Sequence, residues 1–530
     1  MNKVISPADY SSVAAPVLLS RNTRIFNAVL RADEAYINGT SYNNAPLKQY
    51  FSTYLKAMQS RFSFFVPTDD GLGKYGYVDP VGIASKLEAS KRYWRFQYAA
   101  PTATDASARL PIRATAYKYN IETGPVDGDA QTANKAVSLP NEVLTTGYGP
   151  TKRELMVELV NQHVIVHDNN DTQGVNANRR IYTSRAGAPV VVARKGDMAQ
   201  NGIGMQVKGG YQLDLEADEY PANDYVSNVI EGHNMTEELN GYGNGMTYII
   251  DRPMQPTMNS VYSILSRNEN FASFFELCDP MNFSEDLLVS IGFKDSIIGK
   301  KDEATLWNAE QNKYRIFTNL APYYPASQEY LVRFFNNYRY TIYVPTNAAV
   351  QEAIAKGLPT WASIEAFVEA HKDANGLLSD DDKAVAKAMV TCLVNFLRYH
   401  FQDGAYYVDN VTDKVEGQTS CIMHNDLTNT DAYLYVSMQQ TPDKITLTDE
   451  DHKTHNVVAP YNLMARDMNF NAAPTNTTSA RYVKNSSYAA IHQVDGVLNF
   501  MKLPANGRYD SNWATSSIAR KFAAKYRIRK

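Results

Sequence analysis

The sequence predicts an α+β protein in which one unit is used twice. The main observation is a repeated phrase. Phe62-Ser63-Phe64-Phe65-Val66-Pro67-Thr68-Asp69-Asp70 returns as Tyr340-Thr341-Ile342-Tyr343-Val344-Pro345-Thr346-Asn347-Ala348. Each copy reads as an aromatic strand that stops at Val-Pro-Thr, because proline has no N–H to give to a sheet ladder. The second observation is order: each phrase follows amphipathic helical spacing and precedes a helix ending near a histidine, then a series of strand-like runs. The third is length, since 530 residues exceed a single core and suit two to four domains.

Residues 1–20 lack periodicity and read as a lead-in. Arg24–Leu30 and Leu47–Met58 have helical spacing, and the first Val-Pro-Thr strand follows. Thr68 or Asp69 can cap what comes next. Residues 71–150 read as an insertion, with alternating stretches Tyr93–Tyr98 and Leu110–Tyr119 suited to a hairpin. Leu155, Met156, Leu159 and Val160 mark a helix closed by His163. Strands are expected at Arg180–Ser184, Pro189–Ala193, Gly204–Val207, Tyr211–Leu215 and Asp224–Val229, and the unit closes on Tyr248-Ile249-Ile250-Asp251.

Pro253 and Pro256 make a rigid junction. Beyond it, Val261–Leu277 has helical spacing. Ser379 with Asp380–Asp382 begins a helix that runs to Arg398-Tyr399-His400, the hydroxyl capping it and the carboxylates suiting its positive end. Strands are expected near Ala405–Val408, Ala432–Met438, Lys444–Leu447 and Ser479–Val483, and Ile491–Leu498 closes the unit. The expected division is a lead-in 1–20, a first domain 21–252, a second domain 253–503 and a basic tail 504–530. The tail reads first as a solvated end, with docking to a partner or an acidic membrane surface as the alternative.

Three signatures of this chain resemble those of tandem fasciclin domains. One is the strand ending in Pro-Thr-Asp/Asn: Pro67, Thr68 and Asp69, then Pro345, Thr346 and Asn347. Another is a helix ending in Tyr-His, matched by Tyr399-His400 and less well by Gln162-His163. The last is a closing strand of the form Ile-His-x-Val-Asp-x-Val-Leu, matched by His492 and Asp495, whereas the first unit keeps Asp251 and has no histidine. The junction before Ser260 resembles tandem versions from Bacteroidetes-type cell-surface lipoproteins. The resemblance spans roughly 20–503 with 71–150 unmatched. It implies two domains, each a twisted β-sandwich or wedge with helices packed on one side. It also implies adhesion or docking rather than catalysis, and a place on the extracellular face of the outer membrane, beside a SusC/SusD-type importer.

The chemistry-bearing residues agree with that expectation. His400 and His492 read as core histidines that hold strands to a helix, and His163 with His167 as a weak zinc pair. No His-Glu-x-x-His, Gly-x-Ser-x-Gly or Walker pattern occurs, and no cofactor or catalytic residue is assigned. Gly241–Gly245 precedes a strand rather than a helix and reads as a turn. Asp373–Asp382 departs from a calcium loop in its glycine and twelfth position. Cys278, Cys392 and Cys421 fit no metal or redox spacing, and a Cys278–Cys421 pair stays open. A net charge of −4 disfavours nucleic acid. No window is long and apolar enough to cross a membrane, so attachment is expected through an anchor or partner. Met1–Ser20 has no leader pattern, so the chain is expected to be a trimmed or partial form. Thirty-six tyrosines point to strand packing or to a ligand face. The alternative function is glycan capture by exposed rings such as Trp94 and Trp361, and the insertion is the expected contact face.

Overall fold

Strands that return to their starting neighbour organise both halves of the computed structural model. The structure describes residues 11–37, 51–79, 92–98, 111–118, 137–138, 152–167, 174–176, 179–217, 226–236, 243–319, 330–332, 334–335, 339–409, 412–470 and 483–528. It divides into two compact units, with the change at Asn259/Ser260 and with Met468–Ser486 counted in the first. Helix and strand occur in near-equal share, as an α+β class requires.

The first unit opens with helices α1 (Ala15–Leu19), α2 (Arg24–Ile37) and α3 (Phe51–Leu55), then β1 (Arg61–Pro67) and α4 (Asp69–Lys74). Short β2 (Tyr77–Val78), β3 (Arg92–Tyr98), β4 (Ile112–Lys118) and β5 (Val137–Ser138) form a separate four-stranded sheet. Helix α5 (Lys152–Gln162) leads into β6 (Val164–His167), β7 (Ile181–Thr183), β8 (Pro189–Arg194), β9 (Gln206–Gly209), α6 (Gly210–Ala217), β10 (Ser227–Asn234) and β11 (Gly245–Ile250). The seven-stranded sheet runs β6-β1-β11-β10-β9-β8-β7. Its two ends meet at the bridge Ile165↔Ser184. Gly245 starts β11 at φ +147° because a Cβ there would stand 2.0 Å from the Phe62 carbonyl oxygen.

The second unit begins with α7 (Val261–Arg267), α8 (Ala272–Cys278), α9 (Glu285–Ser290) and α10 (Glu303–Gln311), then the small pair β12 (Phe317–Asn319) and β13 (Tyr330–Val332). After β14 (Arg339–Pro345) come α11 (Asn347–Ala355), α12 (Trp361–His371) and the long α13 (Asp380–Tyr399). Then follow β15 (Phe401–Asp403), β16 (Thr412–Asn425), β17 (Thr430–Thr441), β18 (Lys444–Thr448), β19 (Thr454–Phe470), β20 (Val483–Val494) and α14 (Ser516–Lys525). Strands β14 to β20 close into a barrel. The sandwich or wedge expected for each unit is therefore corrected for this one: β14 pairs with both β15 and β20, and closure leaves no free edge.

Several further expectations change. Tyr211–Leu215 lies in helix α6, with Tyr211 and Gln212 buried, so its short apolar run packs as a helix. Ala405–Val408 is irregular, following β15. The lead-in is partly core: Val13 and Ala14 are fully buried, and the Thr247 hydroxyl donates to the Val13 carbonyl at 2.7 Å. The hairpin across 93–119 forms as β3 and β4. Its Trp94 and Phe96 enter the same apolar cluster as Phe26, Phe64 and Leu159, so this part of the insertion completes a core. The turn expected at 101–107 lies outside the described residues, as do 479–482.

The tail is not a solvated end. Helix α14 buries Ala519 and Phe522, followed by buried Tyr526 and Ile528. Asn395 of α13 donates its side-chain N–H to the Tyr526 carbonyl at 2.6 Å. Lysines and arginines at the outward positions disguised an amphipathic helix. The N-terminus of α13 forms as expected: Ser379 Oγ accepts from the Asp382 N–H at 3.1 Å, and Asp381 pairs with Arg520 at 2.6 Å.

Candidate functional site

Both repeated phrases end in the same bonds. Thr68 Oγ1 accepts from Gly71 N–H at 3.0 Å and caps α4; Thr346 Oγ1 accepts from Ala349 N–H at 3.4 Å and caps α11. The next residue caps a different helix from a distance. Asp69 accepts from the Ile25 N–H at 2.9 Å, the second residue of α2. Asn347 accepts from the Ser273 N–H at 2.9 Å, the second residue of α8, and donates to the Glu269 carbonyl. Pro67 pairs with Ile250 and Pro345 with Val494, each the residue before the closing aspartate, in parallel register.

The histidines repeat as well. His163 Nδ1–H donates to the Leu159 carbonyl at 2.7 Å, and its Nε2 accepts from the Met254 N–H at 2.9 Å. His400 Nδ1–H donates to the Phe396 carbonyl at 2.7 Å, and its Nε2 accepts from the Leu498 N–H at 3.1 Å. Each ring thus ties the end of a helix to the residue three past the closing aspartate. Carbonyls can only accept and amides only donate, so the tautomer is set. Burial pushes both imidazoles down to about 4, the helical carbonyl opposing it.

Asp251 and Asp495 make matching clasps. Asp251 Oδ1 accepts from Asn228 N–H at 2.8 Å and Oδ2 from Asn228 Nδ2 at 2.9 Å. Asp495 does the same with Asn456 at 3.0 and 3.2 Å. Each fixes the strand before last to the closing strand.

His492 has the opposite tautomer: Nε2–H donates to the Tyr406 carbonyl at 2.8 Å, and Nδ1 accepts from the Asn462 N–H at 3.1 Å. Burial lowers it to about 4 as well. Its ring stacks on Tyr343, with 25° between planes. Three residues before Asp251, the first unit has Tyr248, stacked at 24° on Phe65. A ring pair, not the histidine, is what both units keep. Tyr399 donates its hydroxyl to the Tyr435 carbonyl at 2.7 Å.

These residues tie helices to strands within the seven-stranded sheet of the first unit and the barrel of the second. His167 bonds Ser63 Oγ at 2.8 Å, whereas His163 bonds the Leu159 carbonyl and the Met254 N–H. Among the described residues, no group of three or more His, Cys, Asp or Glu could hold a metal ion, and no helix is long and apolar enough to cross a membrane. Cys278, Cys392 and Cys421 are free and buried, so the Cys278–Cys421 pair does not form.

The tryptophans proposed to stack on sugars are inside. Trp94 is fully buried and donates to Asp79 at 3.0 Å; Trp361 is buried and donates to the Leu277 carbonyl at 3.1 Å. Burial of a large apolar ring outweighs keeping it ready for a ligand once its one N–H has a partner. Exposed rings lie elsewhere: Tyr433 and Tyr435 on β17 and Tyr461 on β19 are each 44% exposed. The strict alternation of Tyr433 and Tyr435 with Leu434 and Val436 was the available signal, and sequence reasoning passed over it as strand packing.

No family model and no curated protein matches this chain. Among solved structures, the FAS1 domain pair from the insect cell adhesion molecule fasciclin I aligns at 14% identity, over 66% of this chain and 81% of that one, with a TM-score of 0.19. So distant a likeness carries no weight for fold or function.

Proposed function

We propose that this chain is a non-enzymatic interaction protein of two fasciclin-like domains, acting in adhesion or in docking to other surface molecules. One observation carries the reading: the His, Asp, Asn and Thr side chains shared by the two units spend their hydrogen bonds inside the scaffold. Neutral histidines fixed between backbone groups are poor acids, bases or ligands. A repeated rigid scaffold with varied outer faces suits recognition. The signature resemblance adds the setting: the outer-membrane surface, as an accessory subunit beside a SusC/SusD-type importer, attached by an anchor or partner.

A second reading, glycan capture, is favoured by the half-exposed rings of Tyr433 and Tyr435. Purification of the tagged full chain from native membranes, with mass spectrometry of what stays bound, separates the two. A stoichiometric transporter supports docking. Recovery of the chain alone, with binding on a glycan array, supports capture. Turnover of a polysaccharide by the purified chain would overturn both.

A further inference from the structure

Asparagine followed by glycine carries its own chemistry. The glycine main-chain nitrogen can attack the asparagine Cγ, because glycine has no Cβ to hold it away. A new N–Cγ bond closes a cyclic imide, and the carboxamide nitrogen leaves as ammonia with the proton of the attacking N–H. Water then opens the imide at one of its two carbonyls. One opening leaves aspartate in the ordinary main chain. The other leaves isoaspartate, with the main chain running through the former side chain. The reaction needs a carboxamide that can swing, a peptide plane that can turn, and access to water. Asn38-Gly39 and Asn240-Gly241 lie outside the described residues; Asn201-Gly202, Asn244-Gly245, Asn375-Gly376 and Asn506-Gly507 lie within them. Asn244 is fully buried; its Oδ1 accepts from the Val13 N–H at 2.8 Å, and its Nδ2 donates to the Leu55 carbonyl at 2.8 Å. The Asn201-Gly202 peptide is tightly packed. A Cβ on Gly232 would stand 1.9 Å from the Asn201 carbonyl oxygen, and one on Gly202 2.8 Å from the Tyr248 ring. The Asn506 carboxamide is tied at both ends: Oδ1 accepts from the Arg508 N–H at 3.1 Å, and Nδ2 donates to Ser511 Oγ at 2.8 Å.

Asn375 lies in the loop between α12 and α13, where residues 373–377 are all exposed. Gly376 has φ +77°, and a Cβ there would meet nothing within 4 Å, so its peptide has room to turn. Its N–H donates to the Asp373 carbonyl at 2.9 Å, but Gly202 and Gly507 make the same kind of turn bond, to Asp197 and Pro504. That bond therefore does not separate the pairs; packing and the carboxamide do. The loop is held by Asp373, whose Oδ1 accepts from the Asn375 N–H at 2.8 Å and the Leu377 N–H at 2.9 Å. Bonds of an exposed turn open at little cost, whereas a packed peptide opens only with its surroundings. We propose that Asn375 is a modification site, converting by this route to aspartate and isoaspartate in the native protein. Only water is consumed and only ammonia is released. The product adds a negative charge beside Asp373, and isoaspartate lengthens the main chain inside the turn.

The test is peptide mapping of the native full chain held in mildly alkaline buffer, with the same chain in urea as the reference. Mass spectrometry reads the change from amide to acid at each pair, and an isoaspartyl methyltransferase marks the isoaspartate. In the native chain Asn375 should convert at least about tenfold faster than Asn201, Asn244 and Asn506, whose surroundings must first open. In urea the four rates should draw together. G376A should slow Asn375 at least about threefold, because a Cβ obstructs the attack. Where that variant disturbs the loop through its positive φ, the native and urea rates of the parent chain decide. Native conversion of Asn201 or Asn506 as fast as that of Asn375 overturns the proposal. So does a native Asn375 rate far below its rate in urea, since the fold would then protect this pair too. Aspartate formed without isoaspartate also overturns it, because direct hydrolysis of the carboxamide bypasses the imide.

Discussion

His400 accepts a hydrogen bond from the Leu498 N–H at 3.1 Å, and the same bond joins His163 to Met254 at 2.9 Å in the other unit. In both cases the acceptor is a neutral, fully buried ring whose other nitrogen donates to the preceding helical turn. The bond links the end of a helix to the exit of the closing strand, two points distant in sequence. Removing either ring leaves a buried N–H without a partner, which costs more than a surface bond would.

That neutrality makes the protein acid-sensitive. The imidazoles of His163, His400 and His492 lie at about 4 in the folded state, against 6.5 ordinarily. Below that ordinary value the unfolded chain binds a proton that the folded chain refuses. Stability is therefore full above about pH 6.5 and falls toward pH 4, by up to about 3 kcal/mol per histidine. Urea midpoints across this range should fall with pH, and H400Q should show a shallower fall from a lower start. A pH-independent midpoint would contradict the neutral assignment.

The Asp–Asn clasps are predicted to act as coupled pairs. D495A and N456A should each destabilise by about 1–2 kcal/mol, and the double variant by less than their sum. D251A and N228A should behave alike. The reading is a double-mutant cycle in chemical denaturation, and strict additivity would mean that the bonds contribute little.

The C-terminal helix should behave as core. F522A is expected to cost about 3 kcal/mol because it empties a site between Phe500, Trp513 and Tyr526. R520A should cost less than about 1 kcal/mol, since its pair with Asp381 is half exposed or more on both sides. Thermal unfolding of the two variants gives the comparison, and equal effects would restore the solvated-tail reading.

The three cysteines should resist thiol reagents in the native state. All are buried, and burial pushes each thiol up, away from the reactive thiolate. Labelling should be absent without denaturant and should reach all three in urea. A reductant should leave the thermal midpoint unchanged.

The landmarks were legible because their bonds have local causes. Val-Pro-Thr must end a strand, and a hydroxyl there can cap the next helix in either unit. Ser379 and three carboxylates announce a helix start wherever the helix later packs. The structural role of His400 was readable only through the resemblance, which implies a histidine bonding across the core. What it does with its second nitrogen was not, since Leu498 arrives only through the closing strand.

The local chemistry of the sequence alone determined where its strands stop, where its capped helices start, and that one pattern occurs twice. Tertiary structure decided the rest. It closed the second unit into a barrel, put Tyr248 where the other unit has His492, buried Trp94 and Trp361, and turned a basic tail into a packed helix. It also left Tyr433 and Tyr435 outside. The physical reason is range: caps and turns are settled by neighbours in sequence, whereas burial and strand pairing depend on distant residues brought together by the fold. Alternation along β17 divides its residues between two faces, but only closure of the barrel decides which face meets solvent.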